Sequence, residues 1–480
     1  MRRVLVHPLF WLTLQIALTT VFLSAAGRLE PQRVPDTKSY EIAADLETLS
    51  ARLGYYRSIG YPIFLNTVRS LGFTHQAIPT IQLGTYFLSV YLFWFALWRY
   101  SGSRWLAFAA TFPLSWAAVM ELASRIQPDF LSAAATVFAI AFVFLLTTKP
   151  RHLGLWIGVI VSVVAAYHLR PAAVFLVGFV PLIGAILCWI WNQRSLKRTA
   201  QVVGLLTLAM LIPYWSFCAL RLATVGHFGL VSFGGTNLAG LAANFISGRV
   251  VRELPQEHRD LARRMLKLRR KKGWTPMTKK SHAEDFFVQY SDNIWDVANP
   301  AGKFELAARK RTLKKTGREE SSRDWSMAAW QRQPSRVARN TIVGTMSKAV
   351  IGTRLDLYLR WVRAAQLYGL RQLTDYVWIV GPFLLVLISL PILLVRRQKG
   401  GVDDGRHGAD SGRPGSPTMQ ETLVVLSLLG VGFFSGYLLL VSLVSFPFTR
   451  YFQSMILFVP TMLCAQVFVI WRRIAGSISR

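Results

Sequence analysis

Long apolar runs alternate with short polar and basic stretches along the chain. About ten of these runs approach the roughly 20 residues that a helix needs to cross the hydrocarbon core of a bilayer. They lie at 8–26, 76–98, 105–122, 130–147, 153–169, 171–191, 200–222, 376–395, 421–444 and 452–471. The pattern therefore predicts an all-α integral membrane protein, a multi-pass bundle of about ten transmembrane helices.

The basic residues of the short loops predict the orientation of these helices. If the N-terminal "MRR" is cytoplasmic, alternation places the loops "RYSGSR", "KPRH", "NQRSLKR" and "RRQKGG" on the same side, as the positive-inside rule requires. Segments 27–75 and 223–375 then lie outside, as an extended first outer loop and a long outer segment. The small residues "SAAG" after the first run resemble a signal-peptide cleavage site, but we expect an uncleaved helix.

Composition divides the chain into three parts. Residues 1–222 form an N-terminal transmembrane core, residues 223–375 a strongly basic outer segment, and residues 376–480 the C-terminal transmembrane helices. The last part contains "GGVDDGRHGADSGRPGSP" (400–417), which is rich in Gly, Asp and Pro and has almost no apolar residues. This stretch predicts a disordered cytoplasmic linker.

The charge of the chain indicates a membrane rather than a nucleic acid as its partner. The formal net charge is +31, but 52% of the residues are hydrophobic and the basic residues occupy the loops between the spans and the outer segment. We therefore expect anionic lipid as the counter-charge and no nucleic acid. Within the outer segment, "ELPQEHRDLARRMLKLRRKKG" (253–273) predicts an amphipathic helix, either on the membrane surface or ordinarily solvated.

The first outer loop carries two candidate functional residues. Asp36 follows Pro35 just after the first span, so it is either a helix N-cap or a functional carboxylate at the outer surface. Arg57 lies in "GYYRSIGYPIFL" (54–65), among tyrosines and far from the cytoplasmic side. Its planar guanidinium suits bidentate contact with a lipid phosphate; a snorkelling side chain or an acidic partner are the alternatives.

Other charged residues are predicted on the same outer face. The turn "MELASRIQPDFL" holds Glu121 and Asp129, which either are solvated, position a substrate, or hold an arginine in place. The connection "HLRP" holds His168 and Arg170, and "SFPFTRY" holds Arg450. Charged side chains at membrane depth normally face protein or water. We therefore expect these residues to converge.

These motifs resemble those of the C-type (GT-C) membrane glycosyltransferases, a superfamily that includes protein O-mannosyltransferases and lipid A aminoarabinose transferases. The matching text is Asp36 in "PDTKSY", then "RSIGYPIFL" at 57–65, "RIQPDFL" with Asp129, the pair Arg170-Pro171, and "RY" at 450–451. The resemblance covers mainly residues 1–222, and the basic segment 223–375 departs from it.

The resemblance implies a glycosyltransferase at the outer face of a bacterial cytoplasmic membrane. Such an enzyme moves a sugar from a polyprenyl-phosphate donor to a hydroxyl of an acceptor lipid, glycan or protein, with inversion. Asp36 would be the general base, and Arg57, Arg170 and Arg450 would bind the donor phosphate. Substrate would be positioned by Tyr40, Tyr61, Glu121, Asp129, His168 and Tyr451. Some relatives hold a divalent metal, and whether this chain does stays open.

Two other classes of function remain as alternatives. A transporter or lipid flippase would show polar residues near the middle of the bilayer and broken helices in repeated halves, whereas this chain gathers charge at one face. A non-catalytic protein of cell-envelope assembly would use the basic outer segment to dock on an anionic polymer. No internal repeat, phosphate-binding glycine loop or zinc motif is visible in the sequence.

Overall fold

The computed structural model describes residues 7–116, 122–191, 195–316, 334–375, 417–445 and 454–478. Several predictions fall outside these residues. They are the span 376–395, nearly all of the linker 400–417, and the candidate site residues Glu121, Arg450 and Tyr451.

Residues 7–225 fold into helices joined by short connections. These are α1 Pro8–Ala25, α2 Thr37–Ala44, α3 Leu49–Gly54, α4 Gly60–Ser70, α5 Ile78–Ser101, α6 Arg104–Thr111, α7 Asp129–Thr148, α8 Leu153–Leu169, α9 Leu176–Trp191 and α10 Leu196–Val225. Short 3-10 turns precede α5 and α9 and follow α6.

The later part of the chain is helical as well. It contains α11 Gly234–Ala242, α12 Gly248–Glu253, α13 Gln256–Lys271, α14 Val288–Asp292, a π-helix at Asn293–Ala298, α15 Asn299–Thr316, α16 Ser335–Thr353, α17 Leu355–Asp375, α18 Met419–Val444 and α19 Val459–Ile478. Within the described residues, pairing of extended backbone is limited to one bridge between Gln32 and Arg125.

The predicted all-helical membrane architecture is confirmed in the described part of the chain. Six of the helical stretches there are long and apolar enough to cross a bilayer, and Leu153–Leu169 is a shorter apolar helix. The six are Pro8–Ala25, His75–Ser101, Asp129–Thr148, Pro171–Trp191, Leu196–Val225 and Met419–Val444. A total of about ten spans stays a prediction.

Two of the predicted spans have different bounds in the structure. The span 105–122 is described only in part, and in that part α6 has only 8 residues and so covers about 12 Å. It gives way to a 3-10 turn containing Pro113, whose ring and missing N–H end an α-helix. The span 452–471 is shifted, because α19 begins at Val459 with Pro460 in its first turn, where proline is tolerated.

The transmembrane helices share one buried core with α7 at its centre. In its apolar window 83% of the residues are buried, against 22% for α1 and 17% for α10. Phe93 of α5 and Phe144 of α7 meet edge to face with ring centroids 5.9 Å apart. Helices α1 and α10 therefore expose most of their apolar surface at the periphery, where lipid would cover it.

A second buried core lies entirely within the basic segment. It extends from Ala239 to Ala365 and includes the apolar face of α13, where Leu261 and Met265 are fully covered. Leu254 and Leu268, from the same amphipathic stretch 253–273, also pack on this core. Of the two alternatives for this helix, the one that places its apolar face on a membrane surface is wrong, because the protein itself covers that face.

A buried arginine holds the second core together. Arg269 of α13 donates to Asn244 Oδ1 and Asn293 Oδ1, both at 2.8 Å, to the carbonyl of Thr275 at 2.8 Å and to Gln289 Oε1 at 3.0 Å. Burial lowers the pKa of Arg269 to about 10, so its guanidinium stays charged at neutral pH. These acceptors compensate the desolvation of the charge.

Three aromatic side chains of the second core bind the end of α18. Tyr290 Oη donates to the carbonyl of Val444 at 3.0 Å, Tyr358 Oη to Leu443 at 2.9 Å, and Trp361 Nε1 to Ser445 at 3.1 Å. The last carbonyls of a helix have no partner within the helix. The two cores are therefore joined where a membrane helix ends.

Candidate functional site

The loop before α2 is fixed against the turn before α7. The backbone N–H of Gln32 donates to the carbonyl of Ser124 at 2.8 Å, and that of Ile126 donates to the carbonyl of Gln32 at 3.0 Å. Thr37 Oγ1 donates to the carbonyl of Ile126 at 2.9 Å. These bonds bring the beginning of α2 beside the beginning of α7.

The chain between α3 and α4 packs directly on the end of α8. Ser58 Oγ donates to the carbonyl of Leu169 at 2.9 Å. A Cβ at Gly60 would lie 2.7 Å from both the carbonyl carbon and the oxygen of His168. Only glycine allows this approach of two backbones, and the approach sets Arg57 beside the connection that carries Arg170.

Gly60→Ala is therefore expected to destabilise the protein. The added methyl group meets backbone atoms that have no rotamer with which to yield, and we expect a loss of about 1–3 kcal/mol, as for an overpacked core. Gly84→Ala is the matched control, because a Cβ there meets nothing within 4 Å. Thermal unfolding in detergent compares the two variants, and equal melting temperatures would contradict the close approach.

Asp36 and Arg57 form an ion pair. Arg57 Nη2 lies 2.5 Å from Asp36 Oδ1, and Arg57 Nε donates to Ser39 Oγ at 2.7 Å. Asp36 stands at the N-cap position of α2, but its backbone is already helical and its side chain caps no amide. The N-cap interpretation is therefore wrong. The Asp36 side chain is 24% exposed and that of Arg57 15%.

Aromatic rings hold the Arg57 guanidinium on two sides. Its Cζ lies 4.9 Å from the ring centroid of Tyr40 and 5.0 Å from that of Tyr56, within cation–π distance. Burial alone lowers the pKa of Arg57, but the Coulombic effects of Tyr40, Asp36 and Tyr56 outweigh it, so the pKa is raised. Arg57 is therefore a fixed, permanently charged group.

Asp129 and Arg170 form a second ion pair, and both side chains are buried. Asp129 is the first residue of α7, where the helix dipole favours a negative charge. Arg170 follows the last residue of α8, and its Nη1 meets Asp129 Oδ1. Arg57 and Arg170 therefore each have a carboxylate partner, and their role in binding a phosphate stays a prediction. The alternative that Asp129 holds an arginine in place is what the structure shows.

Both ion pairs line the same cavity. It has a volume of about 290 Å³, and Asp36, Arg57, Asp129, Arg170 and Tyr40 all contribute to its surface. Further lining comes from the apolar end of α18, with Leu440, Val441 and Val444, and from the loop before α11, with Val231 and Phe233. Charge and apolar surface thus meet in one concave site.

Two of the predicted site residues lie behind the cavity. Tyr61 is completely buried, packs edge to face on Tyr40 and donates to Gln82 Oε1 at 3.2 Å. The His168 ring packs on Phe217, with centroids 4.2 Å apart. Neither residue lines the cavity. Any effect of these two on a substrate acts through the residues in front of them.

A buried arginine that the sequence analysis did not single out braces the site. Arg221 of α10 donates through Nη2 to the carbonyl of Leu53 at 2.8 Å and to Ser232 Oγ at 2.6 Å, and through Nη1 to the carbonyl of Gly229. It therefore connects the chain ahead of Arg57 to the loop before α11. The sequence did indicate this residue, because Arg221 is the single charge in the otherwise apolar stretch "FCALRLATV".

The described residues hold no group of three His, Cys, Asp or Glu side chains arranged to bind a metal ion. Asp36 and Asp129 each face an arginine instead. In this part of the chain the site therefore contains two carboxylate–guanidinium pairs.

Comparison with known proteins shows a similarity to a solved structure. No protein-family model matches the chain, and no curated protein matches it. Among solved structures, the chain is similar to the crystal structure of ArnT from Cupriavidus metallidurans bound to undecaprenyl phosphate, with 14% identity and a TM-score of 0.35. The match covers 96% of this chain and 77% of the other. At this identity and TM-score, the match assigns no residue a role.

Proposed function

We propose that this protein is a membrane glycosyltransferase that moves a sugar from a polyprenyl-phosphate donor to a hydroxyl of an acceptor at the outer face of the membrane, with inversion. The observation that carries the proposal is the joint lining of one cavity by two carboxylate–guanidinium pairs and the apolar end of a membrane helix. A phosphate on an apolar chain needs both kinds of surface.

The two arginines bind the donor phosphate in this proposal. Arg57 is held by the rings of Tyr40 and Tyr56, and Arg170 is held by the buried Asp129. Planar guanidinium groups offer paired N–H donors that match phosphate oxygens. Because their positions are set before the donor arrives, they stabilise the negative charge that grows on the leaving oxygen at little reorganisation cost. The prenyl chain lies against the apolar side chains of α18.

Asp36 acts as the general base. Its partly exposed carboxylate lines the cavity, so an acceptor hydroxyl reaches it from the cavity side. The hydroxyl oxygen attacks the anomeric carbon while its proton passes to Asp36, and the bond from that carbon to the phosphate oxygen breaks. The products are an inverted glycoside, a protonated Asp36 and a polyprenyl phosphate with one more negative charge.

Arg57 connects the donor phosphate to Asp36 in this proposal. Without a donor, Arg57 Nη2 donates to Asp36 and stabilises its charged form. A phosphate that takes a share of the Arg57 donors weakens this effect and adds a negative charge nearby. The donor phosphate and Asp36 therefore share the Arg57 donors.

Arg57→Lys is expected to weaken the use of the donor by about 10–100-fold while leaving folding nearly intact. The ammonium keeps the charge but loses the planar fork that matches a phosphate. Arg69→Lys is the matched control, since Arg69 pairs with the exposed Asp45 and does not line the cavity. Donor binding and transfer are measured for both variants, and wild-type transfer by Arg57→Lys removes this residue from the phosphate site.

The reaction itself is tested with purified full-length protein and radiolabelled sugars on polyprenyl phosphate. Transfer of label to an acceptor hydroxyl, with release of polyprenyl phosphate, is the expected result. Movement of the intact donor across a vesicle membrane without cleavage would support a flippase instead. If the protein neither transfers sugar from any of the labelled donors nor moves any of them across the membrane, the proposal is overturned.

A further inference from the structure

A second cavity adjoins the first and belongs to the basic segment. It has a volume of about 310 Å³. Tyr56 and Phe233 line both cavities, and their rings lie 5.6 Å apart. An occupant of the second cavity would therefore touch the same two rings as an occupant of the first.

The close crossing of α11 and α16 shapes the second cavity. A Cβ at Gly235 would lie 2.2 Å from the carbonyl oxygen of Asn340 and 2.9 Å from the Cα of Gly344, so the two helices touch through their backbones. Asn340 Oδ1 also accepts from the backbone N–H of Thr236 at 3.1 Å. This crossing sets α16 at the cavity, where it supplies two arginines.

The lining of the second cavity is positive. Lys303, Arg336 and Arg339 line it, and the described lining residues include no Asp or Glu. The pKa of Arg339 is lowered, first by burial and then by the neighbouring Arg336. Cationic side chains that are held close together and partly desolvated repel one another, and an anion bound between them lowers this electrostatic energy.

Aromatic and neutral polar groups complete the cavity. The Trp295 side chain is 48% exposed although it is large and apolar, and it packs on Phe233 on one side. Asn299 and Thr236 also line the cavity. A flat, half-exposed indole suits the apolar face of a sugar ring, and the amide and hydroxyl groups suit its hydroxyls. A free inorganic anion would use the cations but not the indole.

The second cavity also contacts the proposed active site through stacked side chains. The Arg336 Cζ lies 4.4 Å from the ring centroid of Tyr55 and 5.3 Å from that of Tyr56. Tyr56 in turn lies 5.0 Å from the Cζ of Arg57, which pairs with Asp36. A ligand held at Arg336 is thus separated from the proposed base only by the Tyr56 ring and Arg57.

We propose that the second cavity is the acceptor subsite and that it binds a sugar carrying a phosphate or a carboxylate. The proposal rests on the proposed function, because it names the substrate class of the same site. The anionic group binds Lys303, Arg336 and Arg339, and the sugar ring stacks on Trp295. The acceptor hydroxyl then extends past Tyr56 towards Asp36.

Direct binding tests the subsite without any donor. Full-length protein in nanodiscs of phosphatidylcholine is titrated with glucose 6-phosphate, glucuronate, glucose and inorganic phosphate. Both anionic sugars are expected to bind at least about tenfold more tightly than either glucose or inorganic phosphate, and their binding is expected to weaken with salt. Two variants, Arg339→Gln and Lys303→Gln, are each expected to weaken binding of the anionic sugars about tenfold or more. The Lys303 side chain is exposed.

Two further variants distinguish the cations that line the cavity from other charges of the segment, and the anion contacts from the contact of the sugar ring. Lys267→Gln, which removes one exposed charge of the same segment away from the cavity, is the control and should bind as the wild type does. Trp295→Ala should weaken glucose 6-phosphate binding but leave inorganic phosphate unchanged.

Several results would overturn the subsite. They are equal binding of glucose and glucose 6-phosphate, wild-type binding by both Arg339→Gln and Lys303→Gln, and inorganic phosphate binding as tight as that of the phosphosugar. Competition by added phosphatidylglycerol that abolishes sugar binding would assign the cavity to lipid headgroups instead. Failure of the transferase proposal is detected separately, as absence of sugar transfer from every lipid-linked donor while the anionic sugars still bind.

Discussion

Asp36→Asn is expected to lower sugar transfer at least about a hundredfold while the melting temperature stays close to that of the wild type. Asparagine has nearly the same shape but takes up no proton from the acceptor hydroxyl. Asp36 caps no helix amide, and the side-chain oxygen of the asparagine can still accept the bond from Arg57. Donor binding should persist because both arginines remain.

Asp45→Asn provides the control at the opposite end of the same helix. Asp45 follows α2 and pairs with Arg69 at the surface, 2.6 Å from its Nη1, and exposed pairs of this kind contribute about 0–1 kcal/mol. We expect wild-type transfer from this variant. Initial rates and melting curves are measured for both proteins, and full activity of Asp36→Asn would eliminate Asp36 as the base.

Arg170→Met is expected to cost about 3–5 kcal/mol of stability, because it leaves the carboxylate of Asp129 buried without its partner. The same truncation at Arg263, which pairs with Asp260 at the surface, should cost at most about 1 kcal/mol. Denaturant unfolding in detergent measures both. A small loss for Arg170→Met would mean that Asp129 is not charged when buried.

The double variant Asp129→Leu/Arg170→Met separates stability from function. Replacing both partners of a buried pair with apolar residues is often neutral, so most of the lost stability should return. Transfer should not return, since the cavity then lacks one of its two guanidinium groups. A double variant that is both stable and active would show that Arg170 serves only the fold.

The convergence of the charged residues was predictable, but their pairing was not. Counting spans and basic loops was enough to predict Asp36, Arg57, Asp129 and Arg170 on one face, and the cavity brings these four together. Which carboxylate meets which guanidinium depends on backbone contacts between distant segments, such as Gln32 with Ser124. Hydropathy carries no information on such contacts. The sequence therefore left open whether each arginine meets a phosphate or a carboxylate.

The periodicity of apolar residues predicted where helices form better than it predicted which partner covers their apolar faces. The apolar face of α13 was visible in the sequence, but a face that docks on a bilayer and one that docks on protein have the same period. The structure buries Leu261 and Met265 in the second core. Likewise, the apolar run 105–122 indicated a span, although the proline at 113 already limited the helix to its first turns.

The three aromatic donors at the end of α18 have a consequence for the biogenesis of the protein. Tyr290, Tyr358 and Trp361 are synthesised before α18, whose carbonyls they bind. The ribosome adds about 5–20 residues per second, so several seconds pass between the synthesis of the second core and that of α18. During this time the helix bundle lacks α18. The same helix supplies Leu440 and Val441 to the cavity. A chain that stops after residue 375 would therefore lack the cavity wall and leave apolar surface uncovered, and we expect membrane proteases to remove it.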